Sequence, residues 1–178
     1  MYQEIITFWF EEIDAKQRWI KDEAFDALIN ERFADTLRRA GQCELSTWRE
    51  TAEGRLAEVI VLDQFPRNMY RDQPQSFAYD SLALVLAQSA VQGGHDAELT
   101  TDMKHFLYMP FMHSESFWVH EQAEPLFAGM NDASALEFER RHREIIERFG
   151  RYPHRNKILG RVSSPEEEAF LTQPGSSF

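Results

Sequence analysis

A chain of 178 residues with 43% hydrophobic residues, 14 Phe and 4 Trp is long enough for one domain with a large aromatic core, which argues against disorder except at the ends. The net charge of −11 argues against nucleic acid as the main partner, and the single cysteine, Cys43, rules out an internal disulfide and a thiolate zinc site. The longest apolar run, Leu82 to Leu86 with Ala87 beyond, is far short of the roughly 20 residues of a membrane span, and the acidic start lacks a basic leader, so a cytoplasmic protein with no membrane contact is expected.

Apolar residues recur at helical spacing almost everywhere, so the predicted class is all-α, with residues 1–178 forming a single all-helical domain. A first helix is predicted over Tyr2–Ile13. A second follows the cap-like Asp22, buries Phe25, Leu28, Ile29, Phe33 and Leu37, and stops at Gly41. The third runs from Ala52 to Gln64 and is stopped by Pro66. The fourth, Phe77–Gln92, is apolar on most faces and is expected to be the central, most buried element. A fifth starts near Thr101 and breaks at Pro110; a sixth starts after a Ser114 cap, with Glu115 in its first turn, and meets Pro125. The seventh, Ala133–Phe149, ends at Gly150. A short last helix begins at Ser164-Pro165-Glu166, whose serine, first-turn proline and early acids mark an N-terminus. Antiparallel pairs of such helices can stack as a superhelix.

One phrase occurs twice, as Gln64-Phe65-Pro66-Arg67-Asn68 and as Tyr152-Pro153-His154-Arg155-Asn156. Each places an Arg-Asn pair just past a helix end, where a guanidinium fork and an amide can hold a carboxylate, a phosphate or helix carbonyls. The second copy lies in the one basic strip of the chain. From Arg140 to Arg161 there are eight basic residues against two acidic, so this segment carries +6 and the rest −17. Such a strip docks on acidic helices or meets an anionic ligand.

Asp63 falls on the apolar stripe of Leu56, Val59 and Ile60, with Arg67 four residues on as its natural partner. His142 falls on the stripe of Phe138, Ile145 and Phe149, the usual setting of a core histidine bonded to a backbone or carboxylate group. His113, Glu115, His120 and Glu121 carry metal-ligand chemistry, but His113 and His120 are seven apart and no His-Glu-x-x-His helix is present, so no metal or cofactor is expected. The candidate ligand-binding residues are Asp63, Arg67, Asn68, His113, Glu115, His142, His154, Arg155 and Asn156. They suit a non-enzymatic binding or interaction protein for a peptide, protein or small anionic ligand. The alternative is a small enzyme or sensor in which histidine and aspartate move a proton on an anionic metabolite.

Long phrases of the chain resemble the bacterial family designated domain of unknown function 924. They are Phe8-Trp9-Phe10, Glu53-Gly54-Arg55-Leu56-Ala57, Leu62 through Arg71, Tyr108-Met109-Pro110-Phe111-Met112-His113-Ser114-Glu115, His142 through Asn156, and Leu159-Gly160-Arg161. The resemblance spans nearly the whole chain. It implies an all-helical, right-handed superhelix of antiparallel helix pairs of tetratricopeptide-like type, and no assigned activity. Where the family pattern has Asp-Gln this chain has Val119-His120, so the resemblance gives His120 no site role.

Overall fold

Helical spacing is realised through most of the described residues. The computed structural model describes residues 1–177 and contains α-helices and short 3-10 turns, with no strand among the described residues. Two compact units form, residues 1–71 with 75–110, and residues 72–74 with 111–177.

The first unit contains α1 (Tyr2–Thr7), α2 (Glu23–Gly41), α3 (Ala52–Asp63), α4 (Phe65–Met69), α5 (Asp80–Gln92) and most of α6 (Thr101–Met112). The predicted first helix is not uniform: after Thr7 it widens into a π-helical turn, Phe8–Glu12, closed by a bond from the Ile13 N–H to the Phe8 carbonyl. Arg18 Nε donates to the Trp9 carbonyl within that turn at 2.9 Å. The widening seats two adjacent aromatics in one core, where Phe8 lies 4.9 Å from Phe33, Phe33 5.0 Å from Phe65, and Trp9 5.6 Å from Phe106, ring centre to ring centre. Asp22 caps α2 as predicted, accepting from the N–H groups of Ala24 and Phe25, but Leu28 turns out of the stripe to solvent.

The central helix is α3, not α5. Every residue of α3 from Leu56 to Asp63 is buried, and α3 packs against α1, α2, α4 and α5. The run Leu82 to Leu86 misled because α5 buries only one face, built on Ala83, Leu86, Ala87 and Ala90, and leaves Val85 58% exposed. Three alanines in that face give α3 the close approach it needs. The expected stop before Pro66 is present, since α3 ends at Asp63, but Pro66 also sits in the first turn of a new helix, α4, where its missing N–H costs nothing. Pro110 lies inside α6, which continues to Met112; the lost bond falls near the helix end, and Phe106, Leu107, Phe111 and Met112 are all buried around it.

In the second unit α7 (Phe117–Gly129) packs against α8 (Ala133–Phe149), and α9 (Pro165–Leu171) follows. Gly150 ends α8 with φ of 68°, a left-handed stop that suits glycine. Ile145, Ile146 and Tyr152 form a small core, with Phe117, Phe149 and Phe170 packed on it. Phe138, predicted on the buried stripe, is half exposed. The start of α7 also departs from the expectation. Ser116 takes the cap position, while Ser114 Oγ accepts from the Ser116 N–H and Glu115 turns away to other partners.

Candidate functional site

The first phrase is bound into the first unit. Asp63 is fully buried, and Arg67 donates to its carbonyl oxygen while Nη1 lies 3.4 Å from its Oδ1. The same guanidinium forks onto both carboxylate oxygens of Asp80, each at 3.0 Å, and the Gln64 amide donates to Asp63 Oδ2. Asn68 donates to Asp26 Oδ1 at 2.8 Å, joined there by Arg71. Arg67 and Asn68 of α4, with Gln64 and Arg71 on either side of it, thus reach acids on α2, α3 and α5. This is the geometry of a clamp, with charge-assisted bonds as the fastening.

The second phrase is bound into the second unit, around Tyr152. Arg155 Nη2 donates to the His113 carbonyl at 3.0 Å, and its guanidinium stacks 4.7 Å over the Tyr152 ring. Asn156 is buried and donates to Ser163 Oγ at 3.0 Å. Glu115 accepts from the Tyr152 N–H at 2.7 Å and from Arg161 through both oxygens, at 2.7 and 2.9 Å. Those bonds outweigh its partial burial and hold its carboxyl below the usual range. Glu115 is therefore a tie between loops instead of a first-turn helix acid.

Four histidines gather in this unit. His142 is buried, and its Nδ1–H donates to the Phe138 carbonyl at 2.7 Å, which leaves Nε2 as the acceptor of the ring. Its ring meets Tyr152 edge-on at 5.7 Å, while the His154 ring lies 5.6 Å from the same tyrosine. Burial pushes His142 down to about 3 despite its bond to the Phe138 carbonyl, so it is a neutral base at physiological pH. His113 and His154 are half buried and His142 and His120 are interior. The cluster is graded from surface to core.

Three of its members lie outside the sequence-derived set: His120, Glu139 and Tyr152. His120 Nδ1 is 2.7 Å from Glu139 Oε1, and both side chains are fully buried. A signal for them exists in the sequence, since Ala135, Glu139, His142 and Ile146 follow one another at helical spacings of four and three. The stripe taken from Phe138 was one residue off that face.

The basic strip is largely neutralised at home. Arg140 and Arg143 pair with Glu124, Arg141 with Glu137, Arg148 with Glu166, Arg151 with Glu167 and Arg161 with Glu115. Among the described residues no three His, Cys, Asp or Glu side chains are grouped to hold a metal, and no helix is long and apolar enough to cross a membrane.

No curated protein matches the chain. A solved structure titled as a protein of unknown function from Agrobacterium tumefaciens is similar to it at 39% identity, over 96% of each chain and with a TM-score of 0.91. Residues 5–175 match the family described as bacterial protein of unknown function, DUF924. With the all-helical fold on the same footing, the chain belongs to the bacterial DUF924 family.

Proposed function

We propose that the protein binds a small anionic molecule, without turning it over, at the imidazole cluster of its second unit. The supporting observation is that three histidines, His120, His142 and His154, pack on one tyrosine ring with His113 close to His142, graded from half-exposed His113 and His154 to buried His142. Arg155, stacked on that ring with one nitrogen on a carbonyl, adds fixed positive charge beside them. The Arg67–Asn68 turn has no part in this reading, because its donors already hold Asp63, Asp80 and Asp26. A neutral His142 facing an incoming anion favours its own protonation, so binding takes up a proton and strengthens as the pH falls.

The test is a thermal-shift series with inorganic phosphate, short carboxylates and C-terminal peptides at pH 6 and 7.5, on the wild type and on His154→Ala. A ligand at a hundred times its dissociation constant stabilises by about 2.7 kcal/mol, a readily measured shift. The expected result is a shift that grows at pH 6 and vanishes in a folded His154→Ala. No shift with any probe, or an equal shift in the variant, rejects the proposal. A second reading, acid–base catalysis on such a molecule, is favoured by His120, which has a carboxyl group on one ring nitrogen and a phenol on the other. Chemical change of a bound probe would select it.

A further inference from the structure

The Glu139–His120 pair has a proton count that can be read from its hydrogen bonds. His120 Nε2 lies 2.9 Å from the Ser114 carbonyl, an oxygen that only accepts, so Nε2 carries a hydrogen. Tyr152 Oη is 3.2 Å from the same nitrogen, and its own hydrogen is directed to the Met112 carbonyl, so the phenol oxygen is a second acceptor for that N–H. One proton remains for the 2.7 Å contact between Nδ1 and Glu139 Oε1. It makes the pair either an imidazolium with a carboxylate or an imidazole with a carboxylic acid.

The other oxygen of Glu139 decides between them. Oε2 is buried and has no hydrogen-bond partner among the described residues. A carboxylate spreads its charge over both oxygens, so half of that charge would be buried facing no protein donor; the carbonyl oxygen of a neutral acid loses far less in the same place. The charged groups around the pair do not reverse this. Arg143, one turn along α8, is drawn to Glu124 of α7, whose negative charge acts on Glu139 in the opposite sense, and the third group acting on Glu139 is His120 itself. Burial moves the Glu139 carboxyl above its ordinary range, in the same direction.

We infer that Glu139 stands as a neutral carboxylic acid that donates its proton to His120 Nδ1, fixing His120 as the Nε2–H tautomer that holds the Ser114 carbonyl and the Tyr152 hydroxyl. Glu139 is then a positioning residue for the imidazole cluster, because the tyrosine it orients through His120 is the ring that His142 and His154 pack against. The positioning role rests on the proposed ligand site; the protonation state does not.

Two measurements separate these. Ring nitrogen NMR of His120 in the wild type between pH 6 and 8 is expected to show one protonated nitrogen, Nε2, and one acceptor; both nitrogens protonated overturns the inference. Glu139→Gln presents an amide N–H to Nδ1 as the acid presents its O–H, so it is expected to keep the His120 tautomer, the folded stability and the pH profile of probe binding with phosphate or a short carboxylate. Glu139→Ala is expected to weaken that binding about tenfold, the scale seen when a group that orients a functional histidine is removed. Equal damage from Gln and Ala overturns the inference. If no probe binds the wild type, the site and the positioning role fall together, and the NMR result still decides the proton.

Discussion

Asp63 and Arg67 show what a single misplaced polar residue predicts. An acid on an apolar stripe demands a partner, and the demand was legible from the spacing of Leu56, Val59 and Ile60. The second acid on the same guanidinium was not, because Asp80 is 13 residues away and only folding brings it to 3.0 Å. Truncating Arg67 to alanine leaves Asp63 fully buried without its guanidinium, which is expected to cost about 3 to 5 kcal/mol in urea unfolding. Adding Asp63→Asn should recover a large part of that loss, since the stranded charge is then gone; a double variant no better than Arg67→Ala alone would show that Asp80 and the helix carbonyl matter more. Gly54 illustrates the opposite case. Its reason is invisible in the sequence: a Cβ there would lie 1.9 Å from the Trp48 carbonyl oxygen.

At the scale of elements, ends with a self-contained chemistry were legible and ends decided by packing were not. The cap of α9 needs only four neighbouring residues: Ser164 Oγ accepts from the Glu167 N–H, Glu167 accepts from the Ser164 N–H at 2.7 Å, and Pro165 fills the first position. Arg151 adds a fork onto the same carboxylate at 2.6 and 2.7 Å, fastening α9 to the turn after α8 and holding the Glu167 carboxyl at about 2. Ser164→Ala is therefore expected to cost about 1 kcal/mol. Glu167→Ala, which removes both the cap and the fork, should cost more, about 2 to 3 kcal/mol, by chemical denaturation. Equal losses would mean that Arg151 contributes nothing. The continuation of α6 through Pro110, the restart of the chain as α4 at Pro66 and the one-sided burial of α5 were not legible because each outcome depends on which other helix arrives, a property no local window contains. The imidazole cluster was half legible for the same reason: His113, His142 and His154 stood out as residue types, while Glu139 and His120 meet only because α7 packs on α8.

For the molecule as a whole, the buried ionisable groups set the shape of stability against pH, and their signs differ. His142 is driven from about 6.5 to about 3 on folding, so between those values the unfolded chain binds a proton that the folded chain refuses. Its effect is a loss of stability on acidification of at most about 1.4 kcal/mol per pH unit. Glu139 works the other way: its folded carboxyl titrates above the ordinary value near 4.5, so its contribution is complete below that value and is lost as the pH rises toward the folded one. Glu115 and Glu167 are depressed, and their contributions, present above about 4.5, are lost only in stronger acid. Just above pH 4.5 His142 and Glu139 therefore act in opposite directions; below 4.5 His142 and the depressed carboxylates act together and stability should fall steeply. Replacing His142 by phenylalanine removes one side of the balance. In urea unfolding at pH 4.5, 5.5 and 6.5 that variant is expected to gain stability relative to the wild type as the pH falls, whatever the absolute cost of the substitution. A difference between the two proteins that stays constant across the three pH values would mean that His142 is not held neutral by the fold, and would remove the basis for proton uptake at the cluster.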